Sequence, residues 1–332
     1  MRRDMLTQST ILVTGGTGSI GYELITQLLA YNPKKVVVYT RNESAQVTMK
    51  QTFNDNRLSF CIGDIRDKEA LFKAFVGIDY VFHLAALKHV PICEEQPIEA
   101  LKTNVGGTQN VIDAALHHGV KKVINMSTDK AADPSNFYGT TKAIGEKMMI
   151  LSNNLNTNTK MICVRGGNIL GTSGSVLHLF MKQIRENNQV GITDKRMVRF
   201  FMTLQEVTAL LIKAAIDGIG GEVFIMAMPA CRIIDLAEVL IEMSGKKNTG
   251  IVEHGIRPGE KLNELLISEY ESQNAVQYNE QLIVILPTNE NLKLQEHYSS
   301  FPPLTNKTYS SNDVLMSKDE IKTMLIKSGF IS

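Results

Sequence analysis

An excess of either charge is missing from this sequence: 35 lysines and arginines face 34 acidic residues, a formal net charge of +1. That balance excludes bulk attraction to nucleic acid or to an anionic membrane. Cysteine is scarce. The four residues, Cys61, Cys93, Cys163 and Cys231, lie far apart without metal-ligand spacing. They are expected as free thiols in a reducing cytoplasm, with no bound metal. Long hydrophobic runs are also lacking, and VTALLIKAAI falls short of a membrane span. The opening MRRDMLTQSTILVTGG carries two early arginines but no apolar core of about 7–15 residues before a cleavage site, so no signal peptide is expected. What remains is the composition of an ordinary soluble globular protein, 43% hydrophobic and 21% charged over 332 residues. That length suits one or two domains with a large core.

Short apolar runs alternate with helical spacing through the first half. TILVTGG (10–16) is β-rich and ends in glycines, and IGYELITQLLAYN follows with helical periodicity. VVVYT (36–40), LSFCIGD (58–64), YVFHLAA (80–86), KKVINMST (121–128) and KMICVRGG (160–167) repeat the strand pattern. EALFKAFV, AALKTNVGGTQNVIDAALHHG and YGTTKAIGEKMMILSNNL are expected as the helices between them. This alternation predicts an α/β fold, a Rossmann-type doubly wound parallel sheet covered on both faces. Beyond residue 170 the regularity weakens into a smaller mixed substrate lobe. Helices are expected at SVLHLFMKQIRENN, after a turn in RFFMTLQEVTALLIKAAIDG, at IIDLAEVLIEMSG, at GEKLNELLI and near SKDEIKTMLIKSG. The expected division is residues 1–170 for the dinucleotide domain, to which later segments return, and 171–332 for the substrate lobe and tail.

Gly15, Gly18 and Gly21 form a GxxGxxG array between a strand and a helix. Glycines there bring backbone amides close to a pyrophosphate at the helix N-terminus. Thr17, Ser19 and Ile20 belong to the same turn. At the end of the second strand the chain reads VVVYTRNE, so Arg41 stands where an acidic residue would hold the adenosine ribose. An arginine suits the 2′-phosphate of NADP, the favoured cofactor, with NAD possible. Asp64, ahead of Ile65, is a candidate partner for the adenine amine.

Tyr138 and Lys142 are four residues apart at a helix start, on one face. An ammonium there would lower the phenol pKa and let Tyr138 remove a hydroxyl proton while hydride leaves the carbon. Thr128 could align the same alcohol. Asp129 and Lys130 have no task in simple alcohol oxidation. Once a sugar C4 is a ketone, its C5 hydrogen is acidic and the C6 hydroxyl becomes a β leaving group. Lys130, held neutral by low polarity and nearby positive charge, could be the base at C5, and a protonated Asp129 the acid at C6.

With TGGTGSIG, FHLAALKHVPICEEQPIEALKTNVGGTQNV, STDKAADPSNFYGTTK, RGGNILGTSGSV and IRPGEKLNE in place, the chain resembles the extended short-chain dehydrogenase/reductase family. Specifically, it resembles the soluble, configuration-inverting UDP-N-acetylglucosamine 4,6-dehydratases. The resemblance spans residues 14 to about 264, and STDKA with NFYGTTK is its specific part. It implies a retained NADP that takes hydride from C4 and returns it to C6, Tyr138 as base with Lys142 as partner, Lys130 at C5 and Asp129 at C6. The implied product is UDP-2-acetamido-2,6-dideoxy-β-L-arabino-hex-4-ulose, of the kind that enters pseudaminic acid and surface-polysaccharide pathways. Ala85, Ala86, Lys88 and His89 would lie beside cofactor and sugar, and Asn104 would be a polar support at the crossover. Asn168 would meet the nucleotide phosphates, while Arg196, Arg199, Arg257 and Glu260 would clamp the UDP part. A homo-oligomer, as large as a hexamer, is implied too.

Two positions depart from that pattern. Gly166 stands where many relatives carry an aromatic residue, removing a wall on the sugar side, and Ser173 stands where they carry arginine. Other activities stay open: a retaining dehydratase, release of the 4-keto-5,6-ene, a UDP-sugar 4-epimerase, or a noncatalytic NADP-binding regulator.

Overall fold

The computed structural model describes residues 5–155, 158–172, 174–246, 248–288 and 291–330. Six strands carry the first half: β1 (Thr10–Thr14), β2 (Lys35–Thr40), β3 (Leu58–Ile62), β4 (Tyr80–His83), β5 (Lys122–Thr128) and β6 (Lys160–Gly166). Between them run α1 (Ser19–Leu29), α2 (Glu43–Phe53), α3 (Lys68–Ala74), α4 (Val90–Glu95), α5 (Pro97–Ala100), α6 (Gly107–His118) and α7 (Phe137–Ser152). The expected helix over AALKTNVGGTQNVIDAALHHG is present as continuous helical backbone, with a π-helical segment, Leu101–Gly106, between α5 and α6.

The second half begins with β7 (Asn168–Ile169), α8 (Val176–Asn187), β8 (Gln189–Ile192), β9 (Val198–Met202) and α9 (Leu204–Asp217). β10 (Val223–Met226), β11 (Ala230–Arg232), α10 (Ile233–Met243), β12 (Gly250–Glu253), β13 (Leu265–Ile267) and α11 (Glu269–Ser272) follow. β14 (Ala275–Asn279), β15 (Leu282–Ile285), α12 (Leu292–Tyr298), β16 (Tyr309–Ser310) and α13 (Lys318–Lys327) complete the chain. Two expectations are corrected here. RFFM is a strand, β9, paired with β11, not a turn. GEKLNELLI is not a helix; its end is β13, paired antiparallel with β16.

Nine strands form the main sheet in the order β14-β15-β10-β6-β5-β4-β1-β2-β3. Neighbours from β3 to β10 pair in parallel, and β15 and β14 close one edge antiparallel. The chain thus returns to this sheet three times after residue 170. Alternating side chains feed a core on each face: Leu12 joins Val111 and Met149, whereas Ile11 and Val13 join Leu24, Ile25 and Leu28. A third core, with Leu177, Phe180, Phe201, Leu236 and Leu325, lies in the later lobe. Burying such side chains contributes about 1.5–3 kcal/mol each, so all three cores are substantial. Strand order reverses at β1 and β4, and ligands of doubly wound sheets bind at that point, beyond the strand C-termini.

Candidate active site

A cavity of about 590 Å³ opens at that crossover, lined by the turn into α1, by residues 84–89, by the end of β5 and by residues 167–170. Gly15, at φ +68°, turns the chain out of β1, and a Cβ there would stand 2.9 Å from the Ala85 backbone. The turn therefore presents bare backbone to the cavity. α1 starts at Ser19 with no side-chain cap on its Gly18 N-cap, leaving a positive helix end beside the lining residues Gly18, Ser19, Ile20 and Gly21. Backbone exposed this closely fits a dinucleotide pyrophosphate.

The loop after β4 is tied down from two sides. Thr14 Oγ1 accepts from the amides of Leu84 and Ala85 at 3.2 and 3.4 Å and bonds His83 Nδ1 at 2.8 Å. Burial lowers the His83 pKa to about 3, with Lys142 adding to the effect, so this imidazole is a neutral strut. Asn104, buried in the π-helical segment, accepts from Leu87 N at 2.8 Å and donates to Leu87 O at 2.9 Å. It shapes the loop without lining the cavity. Ala85, Ala86, Lys88 and His89 do line it, and burial lowers the Lys88 pKa.

α7 brings Tyr138 and Lys142 to the opposite wall. Asn136 caps this helix by accepting from Gly139 N at 2.8 Å, and Glu94 accepts from Phe137 N at 2.6 Å. Lys142 Nζ donates to Met126 O at 2.6 Å, and burial lowers its pKa to about 8. Tyr138 differs from expectation. Burial pushes its phenol up to about 12, with Asp129 adding and Lys130 and a Thr128 hydrogen bond pulling back. The ammonium expected to lower it, Lys142, is engaged with a backbone carbonyl instead.

The Asp129–Ala131 turn ends β5. Thr128 Oγ1 donates to Asp129 Oδ1 at 2.8 Å, and Lys130 Nζ donates to the same oxygen at 3.0 Å. Lys130 lines the cavity while Asp129 is buried beneath it, and Asp129 Oδ2 has no hydrogen-bond partner among the described residues. The surroundings of Lys130 reverse the expected charge. Burial disfavours the ammonium, yet the carboxylates of Asp129 and Glu264 outweigh it and the Lys130 pKa is raised, with Arg199 opposing. Glu264, buried behind Lys130 with its Oε1 at 3.3 Å, was missed from sequence. It closes the IRPGEKLNE segment, after Arg257 and Glu260.

Other expected contacts fall elsewhere. Asn168 lines the cavity, but Arg196, Arg199, Arg257 and Glu260 do not. Arg199 is turned inward, donating to the carbonyls of Val198, Lys261 and Leu262, and Arg196 is bound to Asp194 at 2.8 Å. Arg257 and Glu260 are joined by a 3.4 Å backbone-to-carboxylate hydrogen bond. Gly166 does not itself line the cavity, but a Cβ there would meet the lining residue Met126 at 2.7 Å and Met202 at 3.3 Å. Ser173 lies outside the described residues. Arg41 pairs with Asp64 at 3.3 Å, Thr17 Oγ1 donates to Thr40 Oγ1 at 3.3 Å, and Ile65 is buried. Among the described residues no cluster could hold a metal ion, and no helix is long and apolar enough to cross a membrane.

A doubly wound sheet with a glycine turn at β1 and a Tyr-x-x-x-Lys helix beside it defines an extended short-chain dehydrogenase/reductase. Within that class the chain belongs to the family described as polysaccharide biosynthesis protein, whose pattern matches residues 11–286. It is 40% identical to the inverting UDP-N-acetylglucosamine 4,6-dehydratase of Campylobacter jejuni strain 81-176, over 90% of this chain and 87% of that one. It is also 40% identical to the UDP-glucose 4-epimerase of Rickettsia prowazekii, over 82% of this chain and 81% of the relative. The X-ray structure of Pen from Bacillus thuringiensis superimposes with a TM-score of 0.92 at 38% identity, covering 98% of this chain and all of that one.

Proposed function

We propose that this protein is a UDP-N-acetylglucosamine 4,6-dehydratase of the inverting type, using a nicotinamide dinucleotide, NADP with Arg41 at its 2′-phosphate. The observation that carries this reading is the Asp129–Lys130 ion pair at the cavity beside Tyr138. A 4-epimerase oxidises C4 only transiently and leaves C5 untouched, so the pair would have no task in one.

When bound, the nicotinamide would accept hydride from C4 and later return it at C6. Tyr138 takes the C4 hydroxyl proton as a phenolate, a form that burial disfavours and that the positive charge of an oxidised nicotinamide would favour, with Thr128 aligning the alcohol. Between the two hydride transfers, Lys130 Nζ takes the C5 proton. The C5–H electrons become the C5–C6 double bond, the C6–O bond breaks, and the proton of Asp129 leaves with the hydroxyl as water; with hydride returned at C6, a solvent-derived proton reaches C5 on the opposite sugar face and inverts that centre. Lys88, His89 and Asn168 hold the sugar nucleotide. The same reading carries a cytoplasmic enzyme and a homo-oligomer, testable by cell fractionation and sedimentation velocity.

NMR of the product from UDP-N-acetylglucosamine in D₂O is the test. Expected is a 4-keto-6-deoxy sugar with deuterium at C5 and inverted configuration there. Tyr138→Phe should lower its rate by at least ~100-fold, the range of general acid–base catalysis. A 4-epimer without C5 deuterium would sink the dehydratase reading in favour of an epimerase.

A further inference from the structure

The elimination asks Lys130 to be neutral and Asp129 to be protonated, while the structure holds them as an ion pair 3.0 Å apart. Both forms contain the same number of protons. Moving one proton from Lys130 Nζ to the Asp129 carboxylate prepares the base and the acid together, and elimination restores the ion pair. The pair is therefore competent only between two limits. Below the first, both groups are protonated; above the second, neither is.

A third ionisable group is built against this pair. Glu264 precedes β13, is 4% exposed, and does not line the cavity. Its Oε1 lies 3.3 Å from Lys130 Nζ and 3.6 Å from Arg199 Nε. Its backbone is fixed in both directions to the buried Ser311, Glu264 N donating to Ser311 Oγ at 3.1 Å and Ser311 N donating to Glu264 O at 3.0 Å. Arg199, on β9, is held by three backbone carbonyls. A carboxylate so rigidly placed behind a cavity lysine does more than join two segments.

We propose that Glu264 is a positioning residue of the elimination, fixing the Lys130 amine beside Asp129 and setting the pH window in which that pair works. The inference rests on the dehydratase reading. A nearby carboxylate favours the protonated forms of the pair as a whole, so Glu264 displaces both limits toward higher pH. The other charged or titratable groups facing the cluster are Arg199 and Tyr138. Tyr138, whose phenol pKa is raised by burial, is followed separately through the C4 oxidation limbs.

The test compares the parent protein with Glu264→Gln and Glu264→Asp, loaded with cofactor. Rates of C5 deuterium incorporation are read across the pH range, beside the absorbance of reduced nicotinamide, which reports C4 oxidation. In Glu264→Gln both limbs of the exchange profile should move to lower pH by about one unit, the lower end of the effect of a close charge. The C4 oxidation limbs should stay in place, and Glu264→Asp should restore the parent exchange window. Competitive acetylation of the Lys130 amine against pH supplies a readout without turnover, and should show the same downward displacement in Glu264→Gln. Exchange that falls equally at every pH, with limbs and acetylation profile unmoved, would overturn the proposal. Absence of C5 exchange in the parent protein would instead overturn the dehydratase reading, whatever the acetylation shows.

Discussion

Arg41 stands between two possible anions. Its neighbour Asp64 is engaged chiefly by Arg66, through the backbone amide at 2.9 Å and the guanidinium at 3.0 and 2.7 Å. The Arg41 contact is longer, 3.3 Å, and its side chain is 56% exposed. An exposed pair of this kind contributes about 0–1 kcal/mol, so a 2′-phosphate could displace it at little cost. Arg41→Ala should weaken NADP binding by about tenfold, the loss of one charge-assisted hydrogen bond, and NAD binding by less than about twofold. Calorimetric titration with both cofactors measures this, and equal losses would remove Arg41 from the 2′-phosphate. At this scale the sequence was informative where chemistry follows local spacing. Tyr138 and Lys142 share a helix face, and Thr128, Asp129 and Lys130 share one turn. It was uninformative about Glu264 and Arg199, whose partners are remote along the chain. An arginine that donates to backbone carbonyls reads, as letters, like one that binds a phosphate.

The element that aligns the site is α7. Gly139, in its first turn, lies so close to the Asp129–Ala131 turn that a Cβ would overlap the Lys130 carbonyl oxygen. Helix and turn are in direct backbone contact, which fixes Tyr138 relative to Lys130. Gly139→Ala would push them apart, costing about 1–3 kcal/mol as overpacking does. Product formation should fall about tenfold or more, since small misplacements in a reactive site are costly. Chemical denaturation and steady-state rates together check this; a variant with parental turnover would show that the spacing is not critical. The strands of the parallel sheet were legible because continuous apolar runs punctuated by turns have few other uses. β13 was not. Its three residues follow a run whose apolar spacing also suits a helix, and its partner β16 lies beyond residue 300 in a polar tail. The π-helical turn at Leu101–Gly106 was equally hidden, because the backbone stays helical through it.

Across the whole molecule, the two walls of the cavity are joined by a buried charge cluster beneath them. Arg165, on β6, donates to Glu146 of α7 at 2.8 and 2.6 Å, to Glu271 of α11 at 3.0 and 2.6 Å, and to Leu266 O of β13 at 3.0 Å. β6 runs on to the lining residues Gly167 and Asn168, and α7 carries Tyr138 and Lys142. One guanidinium thus holds the sheet, the catalytic helix and the later lobe in a single arrangement. Replacing it by methionine preserves bulk but leaves the buried Glu146 carboxylate and the half-buried Glu271 carboxylate without their shared guanidinium. Breaking a buried pair from one side costs about 3–5 kcal/mol, a large part of a net stability of about 5–15 kcal/mol. Arg165→Met should lose that much in urea unfolding, and adding Glu146→Met should recover part of it by removing one stranded charge. In the single variant, UDP-sugar binding should weaken as well, because Asn168 and Tyr138 lose their common anchor. A loss below about 1 kcal/mol, or no recovery in the double variant, would show that apolar packing alone sets the distance between the two walls.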